Sequence, residues 1–446
     1  MRPAMELILP ELSLVLLIGP SGSGKTTFAR RHFRPSEVVS SDACRAMVCD
    51  DESNQAASRE AFELLHQIVR QRLLWRRFTV VDATNLQAEA RKPLIELARR
   101  YHYLTCAIVF DLGNEVCQLQ NQQRPDRVVP SSVVSAHSQA MSRLAAALDK
   151  EFFTRRYVLR SREEVEAARV VRVPIREDRR YECGPFDIIG DVHGCLEELL
   201  ALLELLGYHV WMAPDADGVL RPQAEPPPGR KAVFVGDLVD RGPDTPGVLR
   251  LIAQMAARGH ALSVLGNHDN KLLRKLRGYQ VQPTHGLALT LEQLAREPAE
   301  LADSLREFLE TLPTHLVLDQ GRLVVAHAGL REDLQGRVSP RVHSFALFGD
   351  TTGETDEAGL PIRLNWAANY HGSALVVYGH TPVAEPWWQN QSVNIDTGCV
   401  FGGRLTALRY PERETVSVPA RQRYADPSRA FLNQEALDPP SPGDFI

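Results

Sequence analysis

The chain lacks any apolar run long enough to cross a membrane. Its most apolar early stretch, residues 12–18, is far shorter than the roughly eighteen residues that a spanning helix needs. Pro10 and Glu11 precede this stretch, and a glycine-rich segment follows it directly, which is typical of a core strand and not of a signal peptide. The sequence therefore predicts a protein without a membrane partner.

Cysteine is scarce, and its spacing excludes a paired CxxC pattern. The 446 residues contain seven cysteines, and several of them lie inside apolar segments. This distribution predicts reduced, buried thiols in a cytoplasmic protein. There is also no low-complexity tract and no internal repeat, so we expect ordinary globular domains with a loose, proline-bearing tail over residues 421–446.

The charge of the chain is unevenly distributed. Residues 1–180 carry 28 Lys and Arg against 22 Asp and Glu, a balance of +6, whereas residues 181–446 carry 23 against 34, a balance of -11. A basic first part is compatible with a polyanionic partner, although a solvated helix surface is the more common reason for such arginines. A chain of this length is expected to form two or three domains.

A phosphate-binding loop follows the first apolar run. GPSGSGKT, residues 19–26, fits the pattern Gly-x4-Gly-Lys-Ser/Thr at every fixed position. In such a loop the backbone amides turn toward the phosphates, Lys25 reaches the β and γ phosphates, and Thr26 can ligate Mg²⁺. The sequence therefore predicts that ATP and Mg²⁺ bind at Gly19, Ser21, Gly22, Ser23, Gly24, Lys25 and Thr26.

Residues 38–152 alternate between predicted strands and helices, which indicates a parallel sheet. Asp82 ends one of these strands and resembles the carboxylate that supports Mg²⁺ in such folds. Asp42 could accept the proton of an attacking hydroxyl, and Arg45 could hold a phosphate of the acceptor. The alternative is that Asp42 only caps the helix that follows it.

Five further motifs place metal-competent side chains just after predicted strands. They are IGDVHGC, GDLVDRG, GNHD, AHAG and YGHTP, and their metal-competent members are Asp191, His193, Asp237, Asn267, His268, His327 and His380. Carboxylate oxygen and imidazole nitrogen suit Mn, Fe or Zn equally. Because core packing does not explain five repetitions of one arrangement, we expect a shared metal centre.

This set of motifs resembles the calcineurin-type binuclear metallophosphoesterases. The resemblance implies that Asp191, His193 and Asp237 hold one metal, and that Asp237, Asn267, His327 and His380 hold the other. It also implies that His268 protonates the leaving oxygen or steadies the phosphate, that Asp240 orients His268, and that Arg241 binds phosphate oxygens. Two metals about 3.5 to 4 Å apart can clamp the attacking and leaving oxygens of an in-line displacement.

Over roughly residues 10–420, the chain is similar to bacterial polynucleotide kinase-phosphatases. The similarity rests on SSDACR, VVDATN and residues 348–372 and 394–420, beside the two motif sets. It implies Asp42 as general base, Arg45 on the acceptor phosphate, and Arg124 and Arg127 as lid arginines on ATP. It further implies Mn²⁺ as the phosphatase metal and Asp396 as an additional carboxylate, although backbone amides could equally satisfy a buried Asp396.

The predicted fold class is α/β. We expect a P-loop NTPase domain with a parallel sheet over residues 1–160 and a linker over 161–185. A calcineurin-like two-sheet α/β metallophosphoesterase domain should follow over 186–420. Within this second domain we expect a surface loop at 213–230 and a helical cap at 285–312.

The leading hypothesis is an end-healing enzyme. It would phosphorylate the 5'-hydroxyl of RNA or DNA ends and remove a 3'-phosphate or open a 2',3'-cyclic phosphate. No Lys-x-Asp-Gly follows residue 420, so a separate ligase would seal the ends, and a homodimer is left open. The alternatives are a diadenosine tetraphosphatase or a Ser/Thr protein phosphatase with a regulatory ATP-binding domain, and a nucleotide-gated RNA-binding scaffold.

Overall fold

The computed structural model describes residues 5–123, 128–215, 218–355, 361–427 and 431. The chain divides into two compact units. Unit 1 comprises Met1–Ile175 with Arg337–Ser339, and unit 2 comprises Arg176–Gly336 with Pro340–Ile446. The predicted succession of two α/β domains is therefore confirmed.

Unit 1 contains seven strands and seven helices among its described residues. The strands are β1 (Glu6–Pro10), β2 (Ser13–Ile18), β3 (Val38–Ser40), β4 (Thr79–Asp82), β5 (Leu104–Phe110), β6 (Arg155–Leu159) and β7 (Arg169–Val173). The helices are α1 (Lys25–His32), α2 (Ser41–Cys49), α3 (Ser58–Leu74), α4 (Ala88–Arg100), α5 (Asn114–Gln122), α6 (Ser131–Leu148) and α7 (Arg162–Ala167).

The main sheet of unit 1 has the strand order β3-β4-β2-β5-β6, and all four of its pairings are parallel. Successive residues of a strand point to opposite faces. In β2, Leu14 and Leu16 therefore enter one core cluster while Val15 and Leu17 enter another. Burial on both faces is what the continuous apolar sequence of this strand predicts for a parallel sheet.

The segment expected to be a linker is partly folded into unit 1. Residues 161–173 form α7 and β7, and β7 pairs in parallel with β1. The division between the units falls after Ile175, inside the predicted linker of 161–185. The high charge of this segment misled the sequence interpretation, because the residues of β7 are half-buried or exposed and tolerate charged side chains.

A buried ion pair ties α4 of unit 1 to the chain after α6. Arg91 is fully buried, its Nε and Nη2 donate to Glu151 at 2.8 and 2.5 Å, and its Nη1 donates to two backbone carbonyls. Arg91→Ala should lower the free energy of unfolding of unit 1 by about 3 kcal/mol, because it leaves a half-buried carboxylate and two backbone carbonyls unpaired. Urea denaturation measures this loss. Arg59→Ala, which breaks an exposed pair with Glu63, should leave the midpoint unchanged.

Unit 2 contains fourteen strands and six helices among its described residues. The strands are β8 (Phe186–Ile189), β9 (His209–Pro214), β10 (Leu220–Glu225), β11 (Lys231–Phe234), β12 (Ala261–Ser263), β13 (His315–Leu318), β14 (Leu323–Ala326), β15 (Asp350–Thr355), β16 (Pro361–Leu364), β17 (Leu375–Tyr378), β18 (Trp387–Gln389), β19 (Ser392–Asn394), β20 (Arg404–Tyr410) and β21 (Glu414–Pro419). The helices are α8 (Leu196–Leu205), α9 (Thr245–Ala257), α10 (Asn267–Leu276), α11 (Leu287–Leu294), α12 (Ala299–Thr311) and α13 (Pro340–Phe348).

Two five-stranded sheets pack face to face in unit 2. Their orders are β12-β11-β8-β20-β21 and β13-β14-β17-β19-β18. Alternate residues of both sheets, such as Val233 and Val325, share one core cluster between them. The opposite face of the first sheet packs on α8 and α9, and that of the second packs on α13. The two-sheet α/β architecture predicted for this domain is therefore confirmed.

One segment of unit 2 differs from its predicted secondary structure. The predicted surface loop of 213–230 contains strand β10, which pairs antiparallel with β9 as a hairpin. A separate two-stranded sheet has only edge strands, so Pro222 is tolerated there. The region 285–312 forms α11 and α12, as its helical pattern predicts. Among the described residues, no helix is long and apolar enough to cross a membrane.

Candidate functional site

The phosphate-binding loop of unit 1 joins β2 to α1 and lines a cavity of about 750 Å³. Lys25 Nζ donates to the carbonyls of Gly19 and Pro20 at 2.8 and 2.6 Å. Gly22 has a φ of 80°, and a Cβ there would lie 2.2 Å from the Cys117 carbonyl oxygen, so only glycine fits. The loop therefore has the backbone conformation that its motif predicts.

The same cavity contains the predicted acceptor residues. Asp42 and Arg45 form an ion pair in the first turns of α2, and Arg45 Nε donates to the Glu52 carbonyl at 3.0 Å. The N-cap of α2 is Ser40, whose side chain accepts from a backbone amide, so capping does not explain Asp42. Asp82 ends β4 and also lines the cavity. The predicted lid residues Arg124 and Arg127 lie outside the described residues.

In unit 2, the predicted metal ligands converge where several strands end. Asp191 and His193 follow β8, Asp237 follows β11, His327 follows β14, and His380 follows β17. Positive φ angles, which are uncommon for residues other than glycine, occur at His193, Asp237, Asp240, Arg241 and His380. Strained backbone of this kind tends to cluster at functional sites. The sharp turns direct these side chains toward one place.

Asp237 lies at the centre of this group. Its Oδ2 is 3.6 Å from His193 Nε2, and its Oδ1 is 3.4 Å from His327 Nε2. It belongs to two separate sets that could each hold a metal ion, one with His193 and His268 and one with His327 and His380. The shared position of Asp237 is the geometry that a bridging carboxylate requires.

Acceptor atoms face one another around His327. Its Nδ1 donates to the Val235 carbonyl at 3.2 Å, which leaves Nε2 as an acceptor. Nε2 nevertheless lies 2.9 Å from Asn267 Oδ1, which can only accept. His193 is oriented in the same way, because its Nδ1 donates to the Val239 carbonyl at 2.7 Å. A bound cation would satisfy these acceptor atoms.

The buried carboxylates give a second indication that the residues fit metal ions. Burial and the neighbouring carboxylates raise the pKa of Asp191 and of Asp237 well above the usual value, and burial raises the pKa of Asp396 to about 6. Among the described residues, Asp191 Oδ1 and His380 Nε2 are buried without a hydrogen-bond partner. A Cβ at Gly379 would lie 2.0 Å from Asp191 Oδ1, so glycine makes room for this oxygen.

Asp396 follows β19 and is buried near these residues. Its charge is one cause of the raised pKa of Asp191, and its Oδ1 accepts from the Gly398 amide at 3.0 Å. The structure thus combines the two sequence interpretations of Asp396, because this carboxylate lies beside the other acidic groups and also binds a backbone amide.

His268 is connected by hydrogen bonds to two further buried side chains, Asp240 and Thr290. His268 Nδ1 lies 2.6 Å from Asp240 Oδ2, and the Thr290 hydroxyl donates to Asp240 Oδ1 at 2.7 Å. Burial raises the pKa of Asp240 to about 6, so this carboxylate is ionised at neutral pH. Burial and the charge of Arg241 lower the pKa of His268 well below its usual value. The arrangement fixes the His268 ring and directs Nε2 away from Asp240.

Two arginines bring positive charge to this site. Arg241 Nη1 donates to His193 Nε2 at 2.7 Å, and its guanidinium lies 5.2 Å from the centre of the Phe401 ring. Arg363 on β16 donates to the Thr381 hydroxyl, and its charge is a cause of the lowered pKa of His380. Arg363 lies within residues 348–372, a stretch used above only for its overall resemblance, and nothing in the sequence singled out this arginine.

Two positioning residues were also missed. Asp269 is fully buried and accepts from the Leu238 and Gly266 amides, both at 2.9 Å, so it joins the loop that carries Asp237 to the loop that carries Asn267. Its position in the GNHD motif could have identified it from the sequence. Thr290 lies on α11, within the expected cap, and only the fold brings it to Asp240.

Two packed sheets with converging Asp, Asn and His side chains are the features of a calcineurin-like phosphoesterase. Comparison of the sequence with known families gives the same result. The family described as calcineurin-like phosphoesterase matches residues 184–405, and the family described as AAA domain matches residues 14–148. The chain belongs to the calcineurin-like phosphoesterases and carries a P-loop domain before the phosphoesterase domain.

Three relatives from different bacteria have the same name. The chain is 47% identical over 251 residues to a bis(5'-nucleosyl)-tetraphosphatase PrpE [asymmetrical] of Anoxybacillus flavithermus, a match that covers 55% of this chain and 99% of the relative. It is 51% identical over 238 residues to the protein of that name from Geobacillus thermodenitrificans, covering 52% and 94%. For the Bacillus subtilis protein the values are 49% over 248 residues, covering 55% and 98%. These names favour the tetraphosphatase alternative over end healing.

Thr290→Val should lower kcat of the phosphoesterase about tenfold to a hundredfold, with little change in KM. Loss of a hydrogen bond to a charged group removes about 1.5 to 3 kcal/mol, and here that bond orients Asp240 and through it His268. Thr290→Ser keeps the hydroxyl and serves as the matched control. Equal losses in the two variants would show that packing of α11, and not the hydrogen bond, is responsible.

Proposed function

We propose that unit 2 hydrolyses bis(5'-nucleosyl) tetraphosphates through a two-metal site. The observation that carries this proposal is the position of Asp237, which belongs to both metal-competent sets. Asp191, His193 and Asp237 would hold one divalent ion, and Asp237, Asn267, His327 and His380 would hold the other. His268 also belongs to the first set, but we assign it to proton donation and assign Asp191 as a ligand, because among the described residues Asp191 Oδ1 is buried without a hydrogen-bond partner. When bound, these ions would supply Lewis acidity to the phosphate that water attacks. The relatives' names supply the substrate class.

The protein side chains have separate roles in the proposed reaction. Arg241 would bind non-bridging oxygens of the phosphate under attack, since a guanidinium suits bidentate phosphate contact. His268 would donate a proton from Nε2 to the leaving phosphate oxygen while Asp240 holds its Nδ1. An anionic phosphate beside His268 favours the charged imidazolium form that this donation needs.

A tetraphosphate also needs charge compensation beyond the phosphate that reacts. Arg363 donates to the hydroxyl of Thr381, the residue after His380, which supports a location beside the site. We propose that Arg363 neutralises a second phosphate of the substrate. Asymmetrical cleavage would break the bond next to the phosphate at one end of the four-phosphate chain. The products would be a nucleoside monophosphate and a nucleoside triphosphate.

The full chain incubated with bis(5'-adenosyl) tetraphosphate and Mn²⁺ tests this proposal. Separation of the products by anion-exchange chromatography should show equal amounts of ATP and AMP. Two molecules of ADP would contradict asymmetrical cleavage. Absence of products, with activity on p-nitrophenyl phosphate retained, would contradict the substrate class while leaving the phosphoesterase site intact.

A second candidate function belongs to unit 1 and rests on a different observation. Asp42 and Arg45 line the same cavity as the phosphate-binding loop, which supports phosphoryl transfer from ATP to a hydroxyl near Asp42. In this candidate, unit 1 binds ATP and Mg²⁺ and phosphorylates a 5'-hydroxyl of RNA or DNA. Unit 2 would then remove a 3'-phosphate or open a cyclic phosphate with Mn²⁺, and a separate ligase would act afterwards.

End-labelling tests this second candidate. Full-length protein, Mg²⁺ and ATP labelled in the γ phosphate are incubated with an oligoribonucleotide that has a 5'-hydroxyl and a 3'-phosphate, and with the DNA of the same sequence. Transfer of label to the 5' end would establish the kinase. Absence of label on both polymers, with ATP binding retained, would reject it.

A further inference from the structure

A second group of metal-competent side chains lies in unit 2 and belongs to none of the roles above. It consists of Cys195, Glu198 and Cys399, whose ligand atoms all lie within 4.8 Å of one another. These residues are 0%, 1% and 2% exposed. Cys195 is the N-cap of α8, Glu198 lies in the first turn of that helix, and Cys399 follows Asp396 on the neighbouring loop.

The carboxylate of Glu198 is incompletely satisfied. Its Oε1 accepts from the Arg421 amide at 2.9 Å and from the Tyr424 hydroxyl at 2.8 Å. Among the described residues, its Oε2 is buried without a hydrogen-bond partner. Burial of a carboxylate oxygen without a hydrogen-bond partner is costly, and a bound cation would compensate that cost.

The two thiols provide the remaining donors. Cys195 and Cys399 are free cysteines in mutual hydrogen-bond contact, and Cys195 Sγ also lies 3.7 Å from the His193 carbonyl. In a tetrahedral zinc site the Zn–S distance is about 2.3 Å, which places neighbouring ligand atoms roughly 3.5 to 4 Å apart. The separations in this cluster are compatible with that geometry.

We propose that Cys195, Glu198 and Cys399 bind a structural divalent cation of the zinc type. Two thiolates and one carboxylate suit Zn²⁺ better than the hard cations Mg²⁺ and Ca²⁺. Binding releases the two thiol protons and leaves one coordination position for water. The ion would pin the loop that follows His193 to the loop that follows Asp396. This site is independent of the proposed hydrolytic activity.

Cobalt substitution tests this site directly. The full chain is produced in minimal medium with Co²⁺ as the added transition metal, and its near-ultraviolet spectrum is recorded. Only thiolate ligands give a sulfur-to-cobalt charge-transfer band, and the predicted catalytic ligands are Asp, Asn and His. The wild-type protein should show the band. Cys195→Ser and Cys399→Ser should lose it, together with one equivalent of cobalt per chain.

Controls make each outcome decisive. Cys183→Ser removes an exposed thiol and should keep the band and the metal content. Glu198→Gln, a milder change should the cysteine variants fold poorly, should shift the band and weaken cobalt retention. A wild-type spectrum without the band, or a band that survives Cys399→Ser, would overturn the proposal. The number of free thiols is also counted in unreduced, denatured protein. A count below the seven cysteines of the sequence would likewise overturn the proposal, because a disulfide would then occupy the site.

Discussion

Asp237→Asn is expected to lower kcat/KM of the phosphoesterase about a thousandfold or more. Asp237 is the one side chain common to both metal-competent sets of the site, so the change weakens both at once. Metal-ion catalysis supplies several kcal/mol of transition-state stabilisation, and each 1.36 kcal/mol corresponds to a factor of ten in rate. The comparison is made by steady-state kinetics with bis(5'-adenosyl) tetraphosphate, alongside the metal content of both proteins.

Asp303→Asn is the matched control for this prediction. Asp303 is an exposed carboxylate on α12 that pairs with Arg306 on the same helix. Its replacement should leave both kinetics and metal content unchanged. Near-normal turnover in Asp237→Asn would rule out a bridging role. An equal fall in the melting temperature of both variants would indicate a general loss of stability.

Asp42→Ala should abolish the proposed kinase activity while ATP binding remains. Removal of a general base costs about a hundredfold to ten-thousandfold in rate. The side chain lines the cavity of the phosphate-binding loop but belongs to α2 and not to the loop itself, so nucleotide contacts should persist. The measurements are γ-phosphate transfer to a 5'-hydroxyl oligonucleotide and equilibrium binding of ATP.

Lys25→Ala provides the contrasting result. Lys25 belongs to the phosphate-binding loop, so this variant should lose both ATP binding and transfer. Asp149→Ala, at an exposed ion pair of unit 1, should change neither. Full transfer activity in Asp42→Ala would exclude Asp42 as the base.

Much of the fold could be predicted from local pattern. The mainly apolar runs at residues 104–110 and 186–189 predict strands, and the structure has strands with these bounds. The apolar spacing of residues 53–77 predicts one long helix from Ser53, but the helix begins at Ser58. The Asn54 side chain accepts from the Ala56 amide and favours a separate 3₁₀ turn before the helix.

Long-range contacts could not be predicted in the same way. The strand Arg169–Val173 pairs with Glu6–Pro10, more than 150 residues earlier. Its three valines favour a strand, but the charged residues on both sides made the segment resemble a linker. The same distinction between local pattern and long-range contact applies to the residues of the candidate site. Most of the metal-competent residues inside the short motifs were predicted, although Asp269 of GNHD was not, whereas the hydrogen bond from Thr290 to Asp240 depends on how α11 folds.

Relative activity on two substrates tests the central claim most directly. The kcat/KM of the full chain is measured for bis(5'-adenosyl) tetraphosphate and for an oligoribonucleotide 3'-phosphate under identical metal conditions, with Asp237→Asn as the blank. The account predicts a preference of about a hundredfold for the dinucleotide, within the range that differential binding of substrates provides. A preference of similar size for the oligoribonucleotide would contradict it and make end healing the function of this chain.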